Sequence, residues 1–177
     1  MNPLTLAIEN DSIAQVKALI KSGIDLNKPI LIGEEYDLED HDDISPFFYA
    51  IRKYACLDML ETFLEQGIDL HETDSDGISA LDIAIKFKRK DVIQFCIDRG
   101  FDINATKRKS GITPVILAAC FSDTDMMELL LKNGASLNIA DRSGMSAKDY
   151  AKKLGQKKMI AFLDEKGAKF NIYPNEN

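Results

Sequence analysis

Five short segments of this chain end alike. Ser22-Gly23-Ile24-Asp25-Leu26-Asn27 is followed by Gln66-Gly67-Ile68-Asp69-Leu70-His71 and Arg99-Gly100-Phe101-Asp102-Ile103-Asn104. Asn133-Gly134-Ala135-Ser136-Leu137-Asn138 and Lys166-Gly167-Ala168-Lys169-Phe170-Asn171 complete the set. The last four glycines stand 33, 34 and 33 residues apart. A period in this range marks a stacked-repeat solenoid, whose units are each too small to bury a core alone. Such a fold presents an extended surface rather than a closed pocket.

A second periodicity runs inside the first. Gly77, Gly111 and Gly144 are 34 and 33 apart, and each is followed by an apolar residue and then a hydroxyl: Ser79, Thr113 and Ser146. These hydroxyls are placed to cap helices, accepting from the free N–H groups of the first turn. Pro3, Pro46 and Pro114 fall at first helical positions, where a missing N–H costs nothing. An alanine follows within a few residues in each repeat (Ala7, Ala50, Ala84, Ala118, Ala151), which predicts a closely packed first helix. The second helices are more apolar, as in Val92-Ile93-Gln94-Phe95-Cys96-Ile97 and Met126-Met127-Glu128-Leu129-Leu130-Leu131, and fit a broad buried stripe. The glycine closing each one fits a left-handed C′ cap.

These residues resemble the ankyrin-repeat family, whose unit is two antiparallel helices and a β-hairpin turn with a Thr-Pro-Leu-His-x-Ala signature. Thr113-Pro114-Val115-Ile116-Leu117-Ala118 matches best, and Asn2-Pro3-Leu4-Thr5-Leu6-Ala7 and Ser45-Pro46-Phe47-Phe48-Tyr49-Ala50 are close. The signature histidine is replaced throughout, by Thr5, Phe48, Asp82, Ile116 and Asp149. The resemblance implies an all-α solenoid of stacked helix–turn–helix pairs with β-hairpin turns and one extended hairpin loop. The expected repeats are 1–27, 42–72, 74–105, 108–139 and 141–171, one domain over 1–171, with an insertion at 28–41 and a frayed tail at 172–177. Lys148 and Asp164 take positions that are apolar in inner repeats, as suits an end repeat that stops further stacking.

The period breaks once: Gly23 and Gly67 are 44 apart. One extra residue is expected between the helices of the second repeat, near Tyr54. The other ten fall between repeats one and two, where insertions lengthen the hairpin loop. Ile30-Leu31-Ile32 is then the rising arm of a longer finger. Residues 34–43 hold seven acids and no Lys or Arg, in a chain of 29 acidic and 22 basic residues with net charge −7. The whole formal excess of negative charge is therefore in that stretch. It suits steering a partner with a basic surface; the alternative reading is a solvated loop that serves solubility.

The resemblance implies binding through hairpin tips and the exposed, concave face of the first helices. With the acidic finger, the expected contacts are Glu34, Glu35, Tyr36, Asp37, Glu39, Asp40, Asp42, Asp43, Ile44 and Arg52. In later repeats they are Asp76, Ile78, Lys86, Phe87, Lys109, Ile112, Phe121, Arg142 and Met145. Phe87 and Phe121 share one repeat position, and read either as binding anchors or as aromatics packed on each other or on a hairpin. Basic clusters at Lys107-Arg108-Lys109 and near Lys152 and Lys157 are set against a negative chain poor in arginine, which argues against nucleic acid.

No catalytic constellation is found: two histidines stand far apart, and there is no nucleophile elbow, phosphate loop or dinucleotide fingerprint. Asp74-Ser75-Asp76-Gly77 starts like a calcium loop but lacks the later ligands. Neither a metal nor a cofactor is expected. Cys56, Cys96 and Cys120 show no paired spacing, which points to free thiols in the reducing cytoplasm. The first residues carry neither a basic stretch nor an apolar run, so no signal peptide is expected, and no apolar segment is long enough to span a membrane. The expected function is a non-catalytic interaction module, monomeric when free. It would be an inhibitor such as an immunity protein of a bacterial toxin, or alternatively a catalase-associated or stress-response accessory protein or a scaffold.

Overall fold

The computed structural model describes residues 2–32 and 42–175. Its described elements are helices α1 (Pro3–Glu9), α2 (Ile13–Lys21), α3 (Pro46–Arg52) and α4 (Leu57–Glu65), with strands β1 (Ile30–Ile32) and β2 (Asp42–Ile44) between α2 and α3. After these come α5 (Ala80–Lys86), α6 (Lys90–Asp98), α7 (Pro114–Cys120), α8 (Thr124–Lys132), α9 (Ala147–Lys153) and α10 (Lys157–Glu165). The chain forms two compact units, Met1–Asp74 and Ser75–Asn177.

One backbone device recurs in every repeat. The first helix has seven residues and the second nine. The first ends where the carbonyl of its buried alanine accepts the N–H five residues on: Ala7 from Ser12, Ala50 from Ala55, Ala84 from Arg89, Ala118 from Asp123 and Ala151 from Gln156. That wider bond forces a left-handed residue into the turn. It is Gly155 in the last repeat but Asp11, Tyr54, Lys88 and Ser122 in the others, at φ between 49° and 60°. The turn in the second repeat runs over residues 53–56, one longer than elsewhere. The added residue is Cys56, whose N–H donates to Asp11 Oδ1 at 3.0 Å.

In the first unit α1 packs on α3 and α2 on α4. The core is built on Ile8, Phe47, Ile51, Met59, Leu60 and Phe63, all fully buried. Glu9 ties the two repeats together by accepting from Tyr49 Oη and Lys53 Nζ, both at 2.6 Å, and these bonds hold its carboxyl below the usual range. The finger's expected rising arm is a strand: β1 pairs antiparallel with β2, Ile30 opposite Ile44 and Ile32 opposite Asp42. Alternation along β1 buries Ile30 and exposes Leu31.

In the second unit α7 lies between α5 and α9. Ser79 and Ser146 each make a full capping box, with Asp82 and Asp149 at the third helical position. Thr113 takes the same N-cap position but does not cap, contrary to expectation. Ile116 stands where the neighbouring repeats have Asp82 and Asp149, and among the described residues the buried Thr113 Oγ1 has no hydrogen-bond partner. The consequence is opposite for chemically similar changes. Ser146→Ala is expected to cost about 1 kcal/mol, whereas Thr113→Val is expected to be neutral or stabilising, because it removes a buried hydroxyl that pays desolvation without a bond. Urea midpoints of the two variants check this.

The fifth repeat holds a charged cluster of its own. Lys148 is 9% exposed and pairs with Asp164 at 2.5 Å, donates to the Ala168 carbonyl at 3.2 Å, and lies 4.3 Å from the Phe170 ring centre. Residues 172–175 do not fray as expected. The N–H groups of Ile172 and Tyr173 donate to Asp149, and Asn175 bonds both polar groups of the Phe170 backbone. A buried carboxylate that sequence position alone does not reveal holds this tail in place.

Candidate protein-binding surface

Because every first helix stops at the same point, the residue that ends it has the same placement in each repeat. In the second unit these C-cap residues are Phe87, Phe121 and Leu154. Each is followed by the left-handed residue of the turn. Phe121 is 45% exposed and Leu154 51%, while Phe87 is half-buried with the Lys86 ammonium 5.7 Å from its ring centre. The register of the two phenylalanines thus continues into a third apolar residue. In the first unit the same positions hold Asn10 and Lys53, and Lys53 is engaged by Glu9.

The hairpin tips of the second unit are joined to one another. Lys109 N–H donates to the Asp76 carbonyl at 3.0 Å, its ammonium stands 3.5 Å from the Asp76 carboxylate, and Arg142 N–H donates to the Ser110 carbonyl at 3.1 Å. Lys109, Asp76 and Arg142 are exposed, and Ile78 and Ile112 half-buried. Met145, expected among the contacts, is buried: its N–H donates to Asp141 Oδ1, which also accepts from Ser143, and this turn folds its side chain inward. In the first unit Arg52 and Ile44 are half-buried and Asp43 is exposed opposite Leu31. Asp42 contributes its backbone to β2. Glu34, Glu35, Tyr36, Asp37, Glu39 and Asp40 lie outside the described residues.

The units differ sharply in charge. Met1–Asp74 holds sixteen acids and five Lys or Arg, a formal −11; Ser75–Asn177 holds thirteen acids and seventeen Lys or Arg, a formal +4. The chain's net −7 therefore conceals a basic second unit. Among the described residues no group of His, Cys, Asp and Glu is arranged to hold a metal ion. Burial pushes the Cys96 thiol up to about 12 and raises Cys120 as well, so neither is a thiolate nucleophile at neutral pH. No described helix is long and apolar enough to cross a membrane.

Two family models match, both of ankyrin repeats: one of three copies over residues 99–173 and one of many copies over residues 47–95. The chain belongs to the ankyrin-repeat family. Its fold is the all-α ankyrin fold, and ankyrin repeats bind other proteins and are generally non-catalytic. The chain is 31% identical over 118 residues to a B-cell lymphoma 3 protein homolog of Mus musculus, covering 66% of this chain and 26% of that one. It is 29% identical over 126 residues to the NF-kappa-B inhibitor cactus of Drosophila melanogaster, covering 70% and 23%. It is also 26% identical over 177 residues to an L-asparaginase of Dirofilaria immitis, covering 97% and 28%. The chain spans about a quarter of the length of these relatives. Within these ankyrin repeats, Asp82 and Asp149 fill the place of the signature histidine. Asp82 pairs with Arg108 of the next hairpin at 3.3 Å, and Asp149 collects backbone N–H groups from 171–173.

Proposed function

We propose that this ankyrin-repeat chain is a non-catalytic, cytoplasmic binding module, monomeric when free, that occludes a folded partner protein. Docking uses the first-helix ends and hairpin tips of Ser75–Asn177, and the acidic stretch 34–43 meets a basic surface of the partner. The observation that carries this reading is the exposed row of Phe121 and Leu154 in register with Phe87. Apolar side chains exposed in register, rather than scattered singly, mark interaction surfaces, and aromatic anchors of this kind carry much of the energy of protein interfaces. Occlusion is favoured because cactus, to which the chain is similar, is an NF-kappa-B inhibitor. Immunity to a bacterial toxin is one form such inhibition takes. A catalase-associated or stress-response accessory role, or a plain scaffold, shares the surface but not the inhibition.

The test is affinity capture followed by quantitative binding to the protein recovered. Phe121→Ser with Leu154→Ser is expected to weaken that binding at least 100-fold, about 3 kcal/mol for two anchors. Replacing the seven acids of 34–43 with Asn or Gln is expected to slow association and flatten its salt dependence. Full retention of affinity in the double variant would overturn the assignment of the surface. A captured enzyme that keeps its activity in the complex would overturn the inhibitor role and leave the scaffold.

A further inference from the structure

We infer that the Phe87–Phe121–Leu154 row takes an acidic segment of a partner protein, one that carries apolar side chains between its carboxylates. This deepens the proposed function and rests on it. The row sits in the unit of formal charge +4, and its edges are lysines: Lys86 and Lys88 on either side of Phe87, Lys153 beside Leu154, and Lys157 at the start of α10 just beyond it. All four are exposed, and among the described residues Lys88, Lys153 and Lys157 make no ion pair. Of the acids nearest in sequence two are engaged, while Asp125 stands exposed on the first turn of α8. Asp91 is held by Arg89 through bonds of 2.9 and 2.7 Å, and Asp123 accepts from the Met126 N–H at 2.9 Å as the cap of α8.

Helix C-termini carry about half a negative charge each, and three of them end at this row. Four full positive charges at its edges outweigh those partial ones, and the helices are only seven residues long. Burying such lysines against an apolar neutral partner would strand their charge, whereas an acidic segment compensates it. A polynucleotide is the less fitting polyanion. Its charge density is opposed by the chain's net −7, and Arg89, the arginine of the stretch, is buried and paired.

The geometry sets the spacing of the occupant. Packed helices lie about 8–10 Å apart, so successive anchors on α5, α7 and α9 are one such step from the next. An extended chain of polyproline-II type covers that in one turn of three residues, about 9 Å, which keeps every third side chain on one face, and the nearest same-face repeat of a helix is seven residues, about 10 Å. The segment therefore has Phe, Leu or Ile at every third position if extended, or every seventh if helical, with Asp and Glu between.

Fluorescence anisotropy with the full chain tests this. The probes are labelled peptides of both spacings, the same peptides with Ser for the apolar residues or Lys for the acids, and a 12-nucleotide single-stranded DNA. The acidic, apolar peptide of one spacing is expected to bind, and to weaken at least tenfold in Phe121→Ser with Leu154→Ser. It should weaken as much in Lys88→Gln with Lys153→Gln and Lys157→Gln, all exposed sites whose folding is checked by circular dichroism. Several-fold weakening between 50 and 300 mM salt is also expected. The inference is overturned if neither acidic peptide binds, if the lysine peptides or the DNA bind as tightly, or if the variants bind like the parent. Where no acidic peptide binds but the Phe121/Leu154 double variant still loses its captured partner, only the acidic occupant fails and the binding surface stands.

Discussion

Gly77→Ala is expected to destabilise Ser75–Asn177 by about 3 kcal/mol or more, the left-handed conformation and overpacking acting together. Gly77 sits at φ 80° and is buried beneath the next hairpin. A Cβ there would lie 1.9 Å from the Lys107 carbonyl oxygen and 2.5 Å from its carbon. Neither atom belongs to a side chain that can swing away, so the two hairpins would have to part. Parting strains the bond from Lys109 N–H to the Asp76 carbonyl at their tips. Gly134 provides the control: its φ is 89°, but a Cβ meets nothing within 4 Å, and Gly134→Ala should cost only about 1–2 kcal/mol. For a unit of this size the gap amounts to several degrees in Tm. Equal denaturation midpoints for the two variants would show that the hairpins are not in backbone contact at Gly77.

That pair of glycines shows how much of the molecule was legible in its sequence. Period and position disclose which glycines end helices and which sit in hairpins, because both classes answer to local backbone geometry. The extra residue near Tyr54 and the strand at Ile30–Ile32 were legible for the same reason: each is a local departure from a repeating pattern. The severity at Gly77 was not, since it depends on Lys107, thirty residues away. Met145 reads as a hairpin contact by its place in the repeat, yet the turn made by Asp141 buries it. Thr113 reads as a cap, yet lacks the aspartate that completes the box in the neighbouring repeats. The apolar row was visible as two phenylalanines in register. The opposite charges of the two units were present in the composition, but became apparent only once packing drew the division at residue 74.

Asp149→Asn should release the C-terminal segment and cost about 2–3 kcal/mol, the cost expected for disturbing a buried charged acceptor. The Asp149 carboxylate is fully buried and has no ion-pair partner among the described residues. Five donors compensate it: Ser146 N–H and Oγ at 2.8 and 2.7 Å, Asn171 N–H at 2.9 Å, and the N–H groups of Ile172 and Tyr173 at 3.1 Å. Burial alone would raise its carboxyl; the bonds from Ser146, Asn171 and Tyr173 together outweigh burial and bring it down to about 2. A group depressed in this way stabilises the fold above the ordinary carboxylate range and loses that contribution as the pH falls through its native value. The loss therefore runs from about pH 4 to about pH 2, and is worth roughly 2 kcal/mol. Glu9 and Asp91 are also depressed, so acid unfolding of the parent chain reports several groups at once. The difference between parent and Asp149→Asn isolates this one: it should be full at pH 6 and shrink steadily below pH 4. Hydrogen exchange at Asn171, Ile172 and Tyr173 should quicken in the variant while amides of α7 stay protected. A stability gap that does not narrow with acid would mean that Asp149 supports the last repeat by its shape and not by its charge.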